Sequence, residues 1–201
     1  MIKKTKTTYP INNLIEQRWS NRAFSPQIVE TEKLNSILEA ATWAPSAFNE
    51  QPWRFIVGQK GSATYEKIMS SLIEWNQRWA SNANVLILNI AKKKFTHNNK
   101  PNPTCGYDLG QAVAFLALEA VNQGLFTHQM TGFDAAKAAA AFEISEEDYK
   151  VVSVIAVGYY GDADTLPADM LESEKADRER KDFKSIVLNG DFDILENPSL
   201  F

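Results

Sequence analysis

Two arginines flank a hydroxyl within five residues at Arg18-Trp19-Ser20-Asn21-Arg22. Guanidinium groups carry fixed, forked donors and serine adds a neutral one, so this set can grip a phosphate or a polyol. Taken alone, a basic surface turn is the simpler account, since short polar motifs recur by chance. A second segment, Ala44-Pro45-Ser46-Ala47-Phe48-Asn49-Glu50-Gln51-Pro52-Trp53, is dense in small residues and amides. Such a loop can turn backbone N–H groups and the Asn49 and Gln51 amides toward a flat heterocycle rich in acceptors. It can equally be a tight connection fixed by its prolines, with Trp53 in the core. Basic residues cluster again at Arg178, Arg180 and Lys181, and at Lys92, Lys93 and Lys94. The triple lysine closes an apolar run and reads as a solvated strand end.

Other chemistries lack their residues. His97 and His128 have no cysteine or carboxylate at metal-ligand spacing. No phosphate-binding loop, Gly-x-Gly-x-x-Gly turn or Gly-x-Ser-x-Gly elbow occurs. Cys105 lies beside a predicted helix start, where a lone cysteine is more often structural than catalytic. The net charge of −4 argues against a protein that neutralises nucleic-acid phosphates. The N-terminus lacks the apolar stretch of a secretory signal, and no run of about 18 apolar residues can span a membrane. With one cysteine in 201 residues, the expectation is a single cytoplasmic domain without disulfides.

The elements that position these residues follow from periodicity. Ile11 to Gln17 predicts a short helix running into the arginine segment. Leu34, Ile37, Leu38 and Ala41 share one helical face, with Thr31 as its N-cap and Pro45 as its stop. Trp53 to Val57 reads as a strand ending at Gly58, and Ala63 to Trp75 as a helix. Val85 to Ile90 has the unbroken apolar character of a strand buried on both faces. Lys100 to Gly106 reads as a loop. Tyr107 to Gln123 is a long helix, apolar over most of its circumference and terminated by Gly124, so it is central to a core or buried in a dimer. Asp134 caps a short helix through Phe142, Ser145 with Asp148 opens another helical turn, and Val151 to Val157 is the last strand. From about residue 162 to 201 the chain reads as an extended arm, whose Phe183, Ile186, Val187, Phe192 and Ile194 need cover.

In this order and spacing the segments resemble the nitroreductase family. The run Ile15 to Val57 matches its Arg-x-Ser-x-Arg element, a helix ending in two alanines, and Ala-Pro-Ser-x-x-Asn-x-Gln-Pro-Trp before a strand. Asn76 with Trp79 resembles its Asn-x-x-Trp stretch, and Asp108 to Gly124 its central helix. Met130-Thr131-Gly132-Phe133-Asp134 resembles the segment that passes the flavin edge. Val154 to Gly158 resembles its final strand, and Arg178-Glu179-Arg180-Lys181 its C-terminal basic pair.

The resemblance implies an α+β fold: a small mixed or antiparallel sheet surrounded by helices, a long central helix, a C-terminal arm and an intertwined homodimer. It implies bound FMN, with NAD(P)H as a transient donor and a nitroaromatic or quinone as acceptor in ping-pong kinetics. Arg18, Trp19, Ser20 and Arg22 would lie on the cofactor. Arg178 or Arg180 would close on its phosphate. Pro45, Ser46, Ala47 and Asn49 would come from the partner subunit. Asn76 and Thr131 would lie by the flavin ring, with the Gly132 N–H near the nitrogen that accepts hydride. Trp19, Phe48 and Trp53 are bulky enough either to narrow the acceptor pocket or to fill the core. No side chain is required as a catalytic acid or base. Reductive dehalogenation, flavin consumption to make dimethylbenzimidazole, and a flavin sensor or carrier are the alternatives.

Overall fold

The computed structural model describes residue 3 and residues 5–187. Its strands are β1 (Trp53–Gln59), β2 (Val85–Lys92), β3 (Phe126–Met130) and β4 (Tyr149–Gly158). The helices are α1 (Asn13–Gln17), α2 (Thr31–Thr42), α3 (Ala63–Ser71), α4 (Glu74–Ala80), α5 (Cys105–Asn122), α6 (Ala135–Ala141) and α7 (Ala168–Lys175). The strand order is β1-β2-β4-β3 and every adjacent pair is antiparallel.

The unbroken apolar run of β2 is buried from Val85 through Ala91 because helices cover both faces of the sheet. Strand side chains alternate, so β2 divides its contribution between two cores. Val85, Ile87 and Ala91 join Leu34 and Ile37 of α2 and Leu109 and Leu116 of α5. Leu86, Leu88 and Ile90 join Tyr65 and Ile68 of α3, Trp79 of α4 and Ala138 of α6. Each large aliphatic side chain so buried contributes about 1.5–3 kcal/mol. Gly124, at φ 75°, follows α5 in the left-handed conformation that closes a helix. Asp134 caps α6 by accepting from the Lys137 N–H at 2.9 Å.

Several local expectations are corrected by longer-range pairings. The helix expected over Ala63 to Trp75 is two helices, broken at Leu72 and Ile73. Leu72 bridges to Phe133, the Ile73 N–H donates to the Gly132 carbonyl at 3.2 Å, and the Asp134 N–H donates to the Ser71 carbonyl at 2.7 Å. These cross-chain bonds replace the helical ones. Glu30 rather than Thr31 occupies the cap of α2, without a side-chain cap bond. The turn expected at Ser145 is kept: the Ser145 carbonyl accepts from the Asp148 and Tyr149 N–H groups before β4 begins. Strand β3, which the sequence did not announce, pairs with β4 at the sheet edge.

The arm expected beyond Gly161 contains α7. Its Phe183, Ile186 and Val187 are exposed, while Phe192 and Ile194 lie outside the described residues. The triple lysine ends β2 in ionic contacts, Lys92 with Glu50 and Lys94 with Glu147 and Asp148. Among the described residues no helix is long and apolar enough to cross a membrane.

Candidate functional site

The arginine segment is extended chain, which explains its spacing. Alternate residues point to opposite sides: Trp19, Asn21 and Ala23 are buried, while Arg18, Ser20 and Arg22 lie on the more open side. Trp19 packs edge-on to Phe126 and Tyr160, at 6.4 and 5.4 Å between ring centroids. Asn21 is fully buried, donating to the Ala23 carbonyl at 2.7 Å, and its own carbonyl meets His128 Nδ1 at 2.8 Å. Buried anchors at every second residue therefore hold the three polar residues between them in a row.

Helix α7 supplies the brace. Glu174, buried within it, accepts the Arg22 N–H at 3.1 and 3.0 Å on its two oxygens and the Ala23 N–H at 3.1 Å. Nothing local in the sequence singles out this residue, one carboxylate among many in the charged C-terminal stretch.

The C-terminal arginines divide their labour. Arg178 donates to three backbone carbonyls, those of Lys3 at 2.9 Å, Glu16 at 2.6 Å and Arg18 at 2.7 Å. It thereby ties the N-terminal segment, the end of α1 and the arginine segment together. Among the described residues Arg180 bonds only the carbonyl of its neighbour Glu179, at 2.7 Å. Arg18 reaches the Ser20 hydroxyl at 3.5 Å. Burial and then the Arg180 charge hold the Arg18 guanidinium below its usual proton affinity. Burial, Arg18 and Arg180 do the same to Arg178. None of the three forms an ion pair among the described residues, and all border a cleft of about 820 Å³. Arg22 Nε is buried without a partner among the described residues.

A second corner forms where α3 breaks. Asn76 Nδ2 donates to the Gly132 carbonyl at 2.8 Å. A Cβ on Gly132 would lie 2.7 Å from Asn76 Nδ2 and 2.8 Å from Ile73 Cδ1, so any larger residue here would force those two side chains to shift. The Gly132 N–H has no acceptor among the described residues. Thr131 beside it is exposed.

The loop after α2 is a third corner. Phe48, Asn49 and Gln51 adopt left-handed φ values of 54°, 54° and 51°, a conformation that costs about 1–3 kcal/mol per non-glycine residue. The loop is held by the Ala47 N–H on the buried Asp108 carboxylate at 3.2 Å and the Gln51 N–H on the Ser46 hydroxyl at 3.0 Å. Nothing local in the sequence sets Asp108 apart within the central helix. Pro45 and Asn49 are exposed, and none of residues 44–52 borders the arginine cleft. Of the three bulky aromatics singled out from sequence, Trp19 and Trp53 are core, while Phe48 is 84% exposed.

Comparison with known proteins agrees with this architecture. The sequence model of the nitroreductase family matches residues 15–159. An uncharacterized 15.4 kDa protein of Mycolicibacterium smegmatis is 30% identical over 144 residues, 68% of this chain and 95% of that one. The nitrobenzene nitroreductase of Ectopseudomonas oleovorans is 47% identical over a shorter stretch of 47 residues, 23% of this chain and 21% of that one. A solved oxidoreductase containing FMN superposes with a TM-score of 0.87 at 35% identity, covering 93% of this chain and 95% of its own. On its sequence and its fold, the chain belongs to the nitroreductase family.

Proposed function

We propose that this protein is an FMN-dependent oxidoreductase that carries two electrons from NADH or NADPH to a nitroaromatic or quinone-type acceptor. It works as a homodimer in the cytoplasm, with two equivalent sites at the subunit interface. The observation that carries this reading is the convergence of Arg18 and Arg180 on one cleft, where neither forms an ion pair among the described residues although Glu179 and Asp182 also line it. Like charges so placed repel, and a bound anion relieves the repulsion.

The donor set fits FMN. Arg18, Ser20 and Arg180 suit a terminal phosphate, with Arg178 as the clamp that assembles them. Arg22, whose Nε lacks a partner, suits the ribityl chain or ring edge. Asn76 has its amide nitrogen on Gly132, which leaves its amide oxygen for a ring N–H. The free Gly132 N–H suits a ring nitrogen. FMN, when bound, supplies the hydride relay, while the protein supplies binding and orientation. Donor and acceptor using the same space in turn predicts ping-pong kinetics.

Association supports the reading as well. Along α5, Gly106, Tyr107, Gly110, Ala114 and Phe115 form an exposed stripe. A Cβ at Gly106 or Gly110 would meet nothing within 4 Å. A second copy of this helix can approach there, and its subunit would bring Pro45, Ser46, Ala47 and Asn49 to the site.

The test is the visible spectrum of the purified protein with added FMN, followed by NADH or NADPH without oxygen. The expected result is flavin bands bleached by the pyridine nucleotide and restored by a nitroaromatic. Protein that takes up no FMN overturns the proposal, and flavin that no pyridine nucleotide bleaches points to a carrier or sensor.

A further inference from the structure

Phe48 is the most exposed large hydrophobic side chain among the described residues, at 84%, and its backbone is in the left-handed region at φ 54°. Bulky residues seldom adopt that conformation, so the surroundings must impose it. Two neighbours do not leave Phe48 isolated. Its ring meets Phe95 at 5.7 Å with planes at 90°, and His97 at 5.8 Å with planes at 52°. Phe95 and His97 lie 5.4 Å apart, closing a triad.

The triad is rigidly mounted. Phe95 and His97 sit on a loop pinched by a bridge between Lys94 and Pro101 and by the Phe95 N–H on the Lys100 carbonyl at 2.9 Å. That loop is locked to the loop carrying Phe48 through Glu50. The Glu50 carboxylate accepts the Thr96 N–H at 2.9 Å on both oxygens and pairs with Lys92 at 3.4 Å. The Glu50 side chain is 5% exposed. An aromatic ring that is both exposed and immobilised offers a preformed face for another ring.

We propose that Phe48, buttressed by Phe95 and His97, sets acceptor specificity by forming an aromatic wall that favours planar rings over non-planar acceptors. This rests on the functional reading above, in which Ala47 and Asn49 on either side of Phe48 meet the flavin of the partner subunit. Each planar acceptor takes a hydride from NAD(P)H and a proton from solvent. A quinone leaves as the hydroquinone, and a nitroarene as the nitrosoarene and water.

The experiment uses the FMN-loaded enzyme, bleached with dithionite without oxygen and mixed rapidly with menadione, a nitrofuran or ferricyanide. Starting from bleached enzyme removes the nicotinamide step from the reading. An aromatic contact of this kind corresponds to roughly three- to tenfold in rate. Phe48→Ala and Phe48→Leu are expected to lose that factor with menadione and the nitrofuran and to stay within about twofold with ferricyanide. Phe48→Leu keeps bulk, so its loss isolates the ring. Equal losses on all three acceptors, no loss on any, or loss of FMN from the variants overturns the aromatic wall. Wild-type protein that binds no FMN overturns the functional reading, and this proposal with it.

Discussion

Arg178 and Arg180 are two residues apart, yet their environments assign them different work. Among the described residues Arg180 has a single bond, to the carbonyl next to it, and it lines the same cleft as Arg18. A hydrogen bond to a charged group is worth about 1.5–3 kcal/mol, so Arg180→Ala should weaken FMN binding roughly ten- to hundredfold. The melting temperature of the cofactor-free protein should stay unchanged. Arg178→Ala removes the donor to three carbonyls and should lower that melting temperature as well. Flavin fluorescence titration and thermal melts of both variants separate the two roles. His128 makes a second prediction. Burial pushes its pKa down to about 4, the Asn21 carbonyl opposes this, and the Arg22 and Arg18 charges add to it. In the unfolded chain it titrates near 6.5, so between those values the unfolded state binds the proton and the native state does not. Stability should be full above about pH 6.5 and fall by roughly 3 kcal/mol as pH drops to about 4. His128→Gln should flatten that part of the urea-midpoint profile between pH 7 and 4.5.

At the scale of elements, the site depends on joints between segments distant in sequence. The break between α3 and α4 docks onto residues 132–134 and so places Asn76 against Gly132. Gly132→Ala forces a methyl into contact with Asn76 and Ile73. The expected cost is about 1–3 kcal/mol of stability, with a parallel loss of flavin affinity. An alanine variant with wild-type stability and affinity would show that the joint is loose. Helix α7 acts similarly through Glu174, whose two oxygens take the amides of Arg22 and Ala23. Glu174→Gln turns one acceptor into a donor facing a donor and should cost about 1–3 kcal/mol, seen as a lower denaturation midpoint. It should also weaken FMN binding, because the arginine row then loses its brace.

For the whole molecule, the exposed stripe of α5 separates a monomer from a dimer by a single methyl. In an isolated chain Gly110→Ala meets open space and should stabilise the helix by up to about 1 kcal/mol through propensity alone. In a dimer packed along this stripe the same methyl pushes two helices apart. The expected result is therefore a weaker dimer by analytical ultracentrifugation, with FMN released in parallel as the shared sites come apart. A Gly110→Ala protein that remains as dimeric as wild type and melts higher would place the interface elsewhere. In the proposed dimer the loop carrying Ser46, Ala47 and Asn49 would complete the partner's site, since within one chain it stands away from the arginine cleft.

What the sequence determined by itself is whatever depends on near neighbours. The double burial of Val85 to Ile90 lies in an unbroken apolar run, and the end of α5 in Gly124. The tertiary structure alone decided what depends on groups far apart in the chain. It broke the helix at Leu72, because bonds to residues 132–134 replaced helical ones. It paired β3 with β4, although Phe126–Met130 shows only a partial alternation of burial. It made Arg178 a clamp and left Arg180 open, a distinction invisible in two like side chains. It also set Glu174 beneath Arg22, 152 residues away. Periodicity reports which side of an element is apolar, and it cannot report which distant donor will meet which acceptor. That choice is made only when the whole chain packs and each buried polar group must find a partner.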